Sequence, residues 1–422
     1  MNNLEIVKAV LGDFRKRINL LFATAIGVFC FLPKTITLFV ILLFISLIFG
    51  VVKKKISFTL NKKLMLFTLF YITYALGVLF THNHELAKMY LENKLVFLLF
   101  PFLFSFNFFD NNTIRFISIG MIIGMIVSSF LGLIHSLNCF SLTHDYDTSF
   151  STVFFSYIHH PSYFSAFLSF TILLALNGLR LRWSYFSSFN VTIFCLFSIV
   201  MLAFCMSLAG LLFFGIMLMT FFIFLGFRYL KRVYLILAIS LLPLFPIVIY
   251  FLSSNVRIEV NTAYSSLTSF FDSNSDKSKL TSGSDTRMIM WSTALDEFLE
   301  HPLGVGTGNV DEYLSKNLKS KGLDELAVFN YNPHNQFLQT GLEIGVVGLF
   351  ILLLIIILPL YHGFKSRNWL LIFIALNLAF NALFESMLQR QSGIIFYTFW
   401  ICLLLALKDS KLLNNPSKNH SI

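Results

Sequence analysis

Charged residues are scarce in this sequence: Asp, Glu, Lys and Arg make up 12% of its 422 residues, whereas 57% of them are hydrophobic. The charged fraction is about half that of an ordinary globular protein, and the apolar fraction exceeds what a globular domain can bury. These departures exclude a typical water-soluble domain. They indicate that lipid is the solvent around much of the chain.

Cysteines are also few, and their spacing is uninformative. The five lie in or at the ends of apolar segments, at Cys30, Cys139, Cys195, Cys205 and Cys402. None shows the paired or metal-ligand spacing that marks a disulfide framework or a zinc site. The long hydrophilic segment likewise lacks an Asp-x-Asp motif and a His/Cys cluster. We therefore predict that the protein uses no metal and no other cofactor.

Long apolar runs are abundant. A helix that crosses a bilayer needs about 20 mainly apolar residues, and runs of roughly this length recur along the whole chain. They lie at residues 18–33, 35–52, 64–81, 94–109, 114–138, 152–177, 189–206, 208–226, 233–253, 336–361, 368–386 and 393–407. The sequence thus predicts an all-α integral membrane protein with about twelve transmembrane helices.

One large hydrophilic loop interrupts this pattern. Residues 1–253 are predicted to hold nine helices, 254–333 the loop, 334–407 three more helices and 408–422 a cytoplasmic tail. Cytoplasmic loops retain Lys and Arg. With the N-terminus inside, 20 of the 31 Lys and Arg residues are cytoplasmic and 4 lie in short outer loops. This asymmetry places the large loop outside, provided that 189–226 forms two helices. The net charge of +10 then reflects orientation in the lipid bilayer, and no nucleic-acid partner is predicted.

The large loop contains an amphipathic segment and a glycine-rich one. Apolar residues at Met288, Trp291, Leu295 and Phe298 follow helical spacing and predict a helix from near Asp285 to just before Pro302. This apolar face is expected to lie on the membrane surface or on the helix bundle. The following segment, 301–310, is expected to be a turn against the membrane surface.

Asn332-Pro333-His334 is typical of a helix start, with Asn as the N-cap and Pro at the first helical position. His334 would then lie in the first turn of the tenth spanning helix. The partial positive charge of a helix N-terminus favours a neutral histidine and a nearby anion, as a general base needs. Gly341, Gly345 and Gly348 would follow within about 40° of the same helix face. The alternative is an interfacial histidine above glycines that serve ordinary helix packing, and the residues alone leave both interpretations open.

Two stretches resemble a known family. HNQFLQTGLEIGVVG (334–348) matches the pattern His-Asn, nine residues, Gly-x-x-Gly, and TRMIMWSTALDEFLEHPLGVGTGNV (286–310) is similar to the segment found upstream of it. Weaker similarity extends over 92–101, 159–165 and 385–393. Together they resemble the O-antigen ligase and O-antigen polymerase superfamily.

The resemblance implies a GT-C-type bundle with a periplasmic loop, in the bacterial inner membrane. The implied reaction moves a glycan from undecaprenyl diphosphate to a sugar hydroxyl, without a metal and with inversion. His334 corresponds to the proposed base and Arg287 to a loop arginine that binds the donor diphosphate. Lys94 and Arg390 are predicted as further substrate-binding cations at the outer mouth, together with Asn335 of the His-Asn motif. Glu385 is predicted to orient the base or to pair with Arg390.

One position departs from the family pattern: relatives carry Ser-Arg where this chain has Ser207-Leu208. Without a diphosphate-binding cation at this position, either another cation substitutes for it or the donor is held differently. His159-His160-Pro161 is interpreted as a kink in the sixth helix in preference to a lining of the site.

Three functions remain. The preferred one is a ligase that transfers a lipid-linked glycan to a lipid A-core or similar acceptor. The alternative is a polymerase of the same fold that joins one lipid-linked chain to the next repeat unit. A flippase or transporter is disfavoured, because the helix centres carry few charges and no internal repeat is visible.

The predicted topology can be tested with reporter fusions that are active only in the periplasm. A fusion at Ser275 should be active, and fusions at Lys54 and Lys231 should be inactive. A cytoplasmic signal at Ser275 would mean that 189–226 crosses the membrane once and that the large loop lies inside.

Overall fold

The computed structural model describes most of the chain: residues 3–29, 32–150, 152–205, 207–229, 247, 250–251, 254–271, 283–329 and 331–407. These residues are overwhelmingly helical and form no strand; one isolated antiparallel bridge pairs Phe58 with Phe106. The predicted all-α class is confirmed.

The described residues form eighteen α-helices, numbered here in chain order. They are α1 (Asn3–Val28), α2 (Pro33–Val52), α3 (Met65–Gly77, extended by a 3₁₀ turn Val78–Phe80), α4 (His84–Lys94), α5 (Val96–Leu103), α6 (Asn111–Thr143), α7 (Tyr146–Ser149), α8 (Thr152–Phe155), α9 (Pro161–Arg180), α10 (Ser188–Cys205), α11 (Leu208–Tyr229), α12 (Ser254–Phe271), α13 (Gly283–Glu300), α14 (Val310–Ser320), α15 (Asp324–Val328), α16 (Gln336–Ser366), α17 (Trp369–Asn381) and α18 (Gln391–Ala406).

Five helices in the described part of the chain are long and apolar enough to cross a membrane: Thr35–Val52, Asn111–Thr143, Pro161–Arg180, Ser188–Cys205 and Gln336–Ser366. Shorter apolar helices cover Met65–Phe80, Leu208–Thr220, Trp369–Asn381 and Gln391–Ala406. The chain is therefore a multi-pass membrane protein. The count of twelve stays a prediction, and the predicted span 233–253 lies almost wholly outside the described residues.

The predicted division of 189–226 into two helices is confirmed. Helix α10 ends at Cys205 and α11 begins at Leu208. Ser207 stands between them, and its hydroxyl oxygen accepts a hydrogen bond from the Gly210 N–H at 3.2 Å. A serine side chain that binds a backbone N–H in the first turn is a normal helix start.

Two predicted spans are wrong as continuous helices. Residues 94–109 instead contain the end of α4 and the 8-residue α5, which at about 1.5 Å per residue is too short to cross a bilayer. The predicted span 152–177 is divided between α8 and α9. Pro161 occupies the first position of α9, so it starts a helix and does not kink one.

The large loop packs around a small apolar core of its own. Its helices α13 and α14 contribute Ile289, Met290 and Leu314, and Leu342 of α16 joins them. The predicted helix in the loop is confirmed as α13. Leu295 of its apolar face is 47% exposed, and the side of α13 buried inside the protein is a different one. The placement of the apolar face on the membrane surface or on the bundle stays a prediction. The buried side of α13 faces α14 and α16, which are protein partners that the spacing of apolar residues cannot reveal.

Helix α16 is broken near its N-terminal end. Ile344 and Gly345 have non-helical backbone angles, and Gly345 adopts a φ of +69°. The glycine-rich turn binds the backbone groups that this break leaves unpaired. The Val305 N–H donates to the Leu342 carbonyl at 2.7 Å, and the Val346 N–H donates to the Pro302 carbonyl at 2.9 Å. The turn therefore replaces the missing helical hydrogen bonds.

The same turn also docks on α3 and α4. The Thr307 hydroxyl donates to the Tyr74 backbone carbonyl at 2.8 Å, and the side-chain oxygen of Asn309 accepts a hydrogen bond from the Thr81 hydroxyl at 2.7 Å. Thr307 and Asn309 are fully buried. The expectation that this segment lies against the membrane surface is wrong: it is wedged between helices and fixes the large loop to the bundle.

Substitution of Gly345 by alanine should destabilise the protein strongly. A Cβ at this position would overlap the Leu303 carbonyl group, in addition to the strain of a positive φ. Gly322→Ala is the matched control, because Gly322 has a φ of +74° and no other atom within 4 Å of its Cβ position. The control isolates backbone strain, which costs about 1–2 kcal/mol. Thermal unfolding in detergent should show a larger loss for Gly345→Ala; equal losses would contradict the wedge geometry.

Candidate functional site

A buried carboxylate, that of Glu385, lies between two histidines. Its Oε2 atom is 3.2 Å from Nδ1 of His334 and 3.6 Å from Nδ1 of His160. The three residues come from distant parts of the chain: His334 precedes α16, His160 precedes α9, and Glu385 lies between α17 and α18. Only tertiary folding brings them together.

The start of α16 differs from its prediction. The N-cap is Asn335, whose side-chain oxygen accepts hydrogen bonds from the N–H groups of Phe337 and Leu338. Asn332 instead accepts a hydrogen bond from the His334 N–H at 2.8 Å, which forms a turn before the helix. His334 therefore lies outside the helix, with a φ of +47°. Histidine is one of the residue types that adopt this left-handed region most readily, so the angle fits a turn that precedes the helix.

The predicted alignment of His334 with a glycine stripe is consequently wrong. His334 is not helical, and the break at Gly345 interrupts the helical phase. A Cβ on Gly341 would meet the Phe298 ring at 3.1 Å, and one on Gly348 would meet Ile344 of the same helix. These glycines accommodate protein neighbours and are not aligned below the histidine.

Residues 382–390, called here the carboxylate loop, hold Glu385 in place. Gln336, the first residue of α16, accepts a hydrogen bond from the Leu388 N–H through its side-chain oxygen. The Tyr163 hydroxyl donates to the Ser386 carbonyl at 2.7 Å. The starts of α16 and α9, which position the two histidines, thus also anchor the loop that carries the carboxylate.

The environment keeps Glu385 ionised. Burial opposes its charge, because the side chain is only 4% exposed. When both histidines are protonated, the hydrogen bond from His334 and the charges of His334, His160 and Arg287 outweigh burial and lower the pKa of Glu385 to about 2. An ionised carboxylate only accepts hydrogen bonds, so Nδ1 of His334 carries a proton and its Nε2 retains a lone pair when the ring is neutral. This is the arrangement of a histidine base with an orienting carboxylate.

The second histidine is electrically different. Burial lowers the pKa of His160 to about 4, and the attraction of Glu385 is opposed by the charges of Arg390, Arg287 and His334. His160 is therefore neutral near neutral pH. The sequence interpretation assigned the His159-His160-Pro161 string to a kink and missed this contact; the signal was a histidine directly before a proline, where a helix begins.

Positive charge surrounds this carboxylate. Arg287 of α13 acts on the pKa of both Glu385 and His160, and Arg390, the exposed N-cap of α18, acts on that of His160. Helices α9, α16 and α18 all begin here, and each N-terminus carries about half a positive charge. Arg287 and Arg390 thus lie close enough for their charges to act on the cluster of His160, Glu385 and His334. Cations and helix N-termini are the groups that suit an anion.

Two predicted substrate-binding residues have other contacts. Lys94 is fully buried: its Nζ donates to the side-chain oxygen of Gln389 at 3.0 Å and is 3.9 Å from Glu343. The prediction that Lys94 lies at the outer mouth is wrong. The side-chain oxygen of Asn335 caps α16, and its Nδ2 donates to the Leu383 carbonyl at 3.2 Å. Its role in substrate binding stays a prediction.

One group in the described part of the chain has the geometry to hold a metal ion. Ligand atoms of Glu297, Glu300 and His301 lie within 4.8 Å of one another. They follow Arg287 along α13 by about 15 Å, and Glu297 already accepts a hydrogen bond from the Asn317 side chain at 2.7 Å. Independence of metal stays a prediction.

Residues 193–353 match a family model described as O-antigen ligase. The predicted resemblance is confirmed over these residues, which include Arg287, His334 and the broken part of α16. His160, Glu385 and Arg390 lie outside the matched O-antigen ligase segment, so the rest of the bundle completes the site.

A relative in Haemophilus influenzae, described as an uncharacterized protein, is 32% identical over 109 residues. The match covers 26% of this chain and 26% of that protein, so the chain spans about a quarter of the relative. The relative shows that similar sequence exists elsewhere and assigns no activity.

Acidification should destabilise the protein through His160. Its ordinary pKa is 6.5 and its folded pKa is about 4, so the unfolded chain binds the proton first as the pH falls. Stability contributed by neutral His160 is complete above pH 6.5 and is lost toward pH 4. The melting temperature of the His160→Asn variant should fall less steeply with decreasing pH over this window than that of the wild type. The control variant His84→Asn, at an exposed residue, should follow the wild type. Identical slopes for all three proteins would contradict the burial of His160.

Proposed function

We propose that this protein is a membrane glycosyltransferase that moves a glycan from an undecaprenyl-diphosphate donor onto a hydroxyl of a lipid A-core or similar acceptor. The reaction takes place at the periplasmic face of the bacterial inner membrane. The observation that carries the proposal is the His334–Glu385 pair, set among arginines and helix N-termini. The superfamily match supports a ligase or polymerase type of function.

His334 acts as the general base. Its side chain is 21% exposed, whereas Glu385 is nearly buried, so the acceptor reaches the histidine and not the carboxylate. Nε2 removes the proton from the acceptor hydroxyl as its oxygen bonds to the sugar C1. The bond between C1 and the diphosphate oxygen breaks, and the lipid diphosphate leaves with the electron pair. Attack opposite the leaving group inverts the anomeric centre, and Glu385 stabilises the imidazolium that forms.

The arginines and helix ends hold the donor. A diphosphate carries several negative oxygens, and the planar guanidinium fork matches phosphate geometry. Arg287 supplies one such fork from α13. We assign the second to Arg390, because Leu208 occupies the position where relatives carry an arginine. Helix N-termini add N–H donors and partial positive charge where the leaving group gains its charge.

A glycan profile distinguishes the two members of the superfamily. In cells that lack this protein, long lipid-linked chains should accumulate without transfer to the acceptor if it is a ligase. A single repeat unit on the acceptor would instead indicate a polymerase, with the same site and the same base. The same cells, complemented with variants, provide the assay below.

Replacement of His334 should abolish transfer while the protein still accumulates in the membrane. Asparagine is the most informative substitute, because it tolerates the left-handed backbone of position 334 and cannot act as a base. Loss of a general base costs about 10²–10⁴ in rate, so His334→Asn and His334→Ala should be equally inactive. Arg287→Lys should also be damaging, since a point charge does not replace a forked contact.

The control for this series is His84→Asn, a substitution of the same type at an exposed residue of α4. It should leave transfer unchanged. Near-normal transfer by His334→Asn at normal protein levels would remove His334 as the base and, with it, the proposed mechanism.

A further inference from the structure

A second polar cluster lies behind the carboxylate loop. Lys94, the last residue of α4, and Glu343, next to the break in α16, are both 0% exposed. The Lys94 ammonium donates to the Gln389 side chain at 3.0 Å and lies 3.9 Å from the Glu343 carboxylate. Gln389 belongs to the carboxylate loop, between Glu385 and Arg390. The cluster thus connects α4 and α16 to the loop that carries the proposed site.

Aromatic rings close off the ammonium group. The Tyr74 ring centre is 4.5 Å from Nζ of Lys94 and the Tyr90 ring centre is 5.0 Å from it, within the range of cation–π attraction. The Tyr90 hydroxyl lies 3.5 Å from the Asp311 carboxylate. With its donor contacts and both neighbouring rings in place, Lys94 faces inward and does not reach a substrate at the outer mouth.

Stability alone does not account for this cluster. A buried ion pair recovers little more than the desolvation of its own charges, and apolar residues of the same volume are often as stabilising or more so. What apolar residues do not supply is a directional bond to Gln389. Each of three helices holds one point of the carboxylate loop: Tyr163 holds Ser386, Gln336 holds Leu388, and Lys94 holds Gln389.

We propose that Lys94 is a positioning residue that acts through Gln389 to hold Glu385 and Arg390 in their working places, with Glu343 as its counter-charge. The inference rests on the proposed function and deepens it. It replaces the role as a diphosphate ligand that the sequence suggested for Lys94. Without the Lys94–Gln389 bond, the loop loses the anchor adjacent to Arg390, and the His334–Glu385 contact loses its fixed alignment.

The test removes the bond without leaving a lone buried charge. The variant Lys94→Met/Glu343→Gln is neutral and retains side-chain volume, and Gln389→Leu removes the same bond from its other end. Each should lower kcat for glycan transfer about tenfold or more, with the KM for the lipid diphosphate donor little changed. Lys88→Met, the same substitution at an exposed residue of α4, should leave both constants unchanged.

Coupling separates positioning from stability. If Lys94 acts through Gln389, adding Gln389→Leu to the neutral double variant should lower kcat no further, because the bond is already absent. If the substitutions lower kcat independently, so that their effects multiply, the proposal is overturned. It is also overturned if the losses of kcat follow the melting temperature alone. A raised KM with unchanged kcat in the double variant would also overturn it and would make Lys94 a donor ligand. If the double variant does not accumulate, an unchanged kcat in Gln389→Leu alone would reject the positioning role.

The two proposals fail separately. Full transfer by His334→Asn would reject the proposed function whatever the Lys94 variants do. An inactive His334→Asn together with wild-type kcat in Lys94→Met/Glu343→Gln would reject only the positioning role.

Discussion

A carboxylate that is removed from water must have its charge stabilised by protein groups, and the Glu385 carboxylate sets this requirement where α9 and α16 begin. Its neighbours are two histidines, the charge of Arg287 and the N-termini of helices. Each of these contributions depends on where a helix begins. The starts of α9 and α16 are therefore constrained together, and the carboxylate loop is tied to both through Tyr163 and Gln336.

The break in α16 has a comparable role for the large loop. Backbone groups that a helix leaves unpaired in an apolar region must find other partners. Here the partners come from the glycine-rich turn, through bonds to Leu342 and Val346. The turn is continuous with α13, so the contact that satisfies the broken helix also anchors the C-terminal end of the helix that carries Arg287.

The two polar clusters differ in their exposure to solvent. His334 and Arg390 reach solvent, whereas Lys94 and Glu343 are enclosed. The carboxylate loop lies between them and takes contacts from both sides. In the proposed mechanism His334 and Arg390 contact the substrates, and Lys94 and Glu343 hold the carboxylate loop in position. Neither cluster is contiguous in the sequence, which explains why the superfamily match to residues 193–353 contains only part of the site.

Composition and short motifs by themselves determined the all-helical membrane class, the two helices within 189–226, the existence of α13 and the resemblance of residues 193–353 to the O-antigen ligase family. These features depend on local apolar runs, helix-start residues and the His-Asn and glycine spacing, all of which are visible within one segment. The tertiary structure alone decided that Asn335 caps α16 in place of Asn332, that α13 buries a different face, that Lys94 points inward, and that His160 contacts Glu385. Each of these outcomes depends on a partner that is far away in the sequence. The local sequence allows more than one arrangement, and hydrogen bonds and charge stabilisation favour one of them only when that partner is in place.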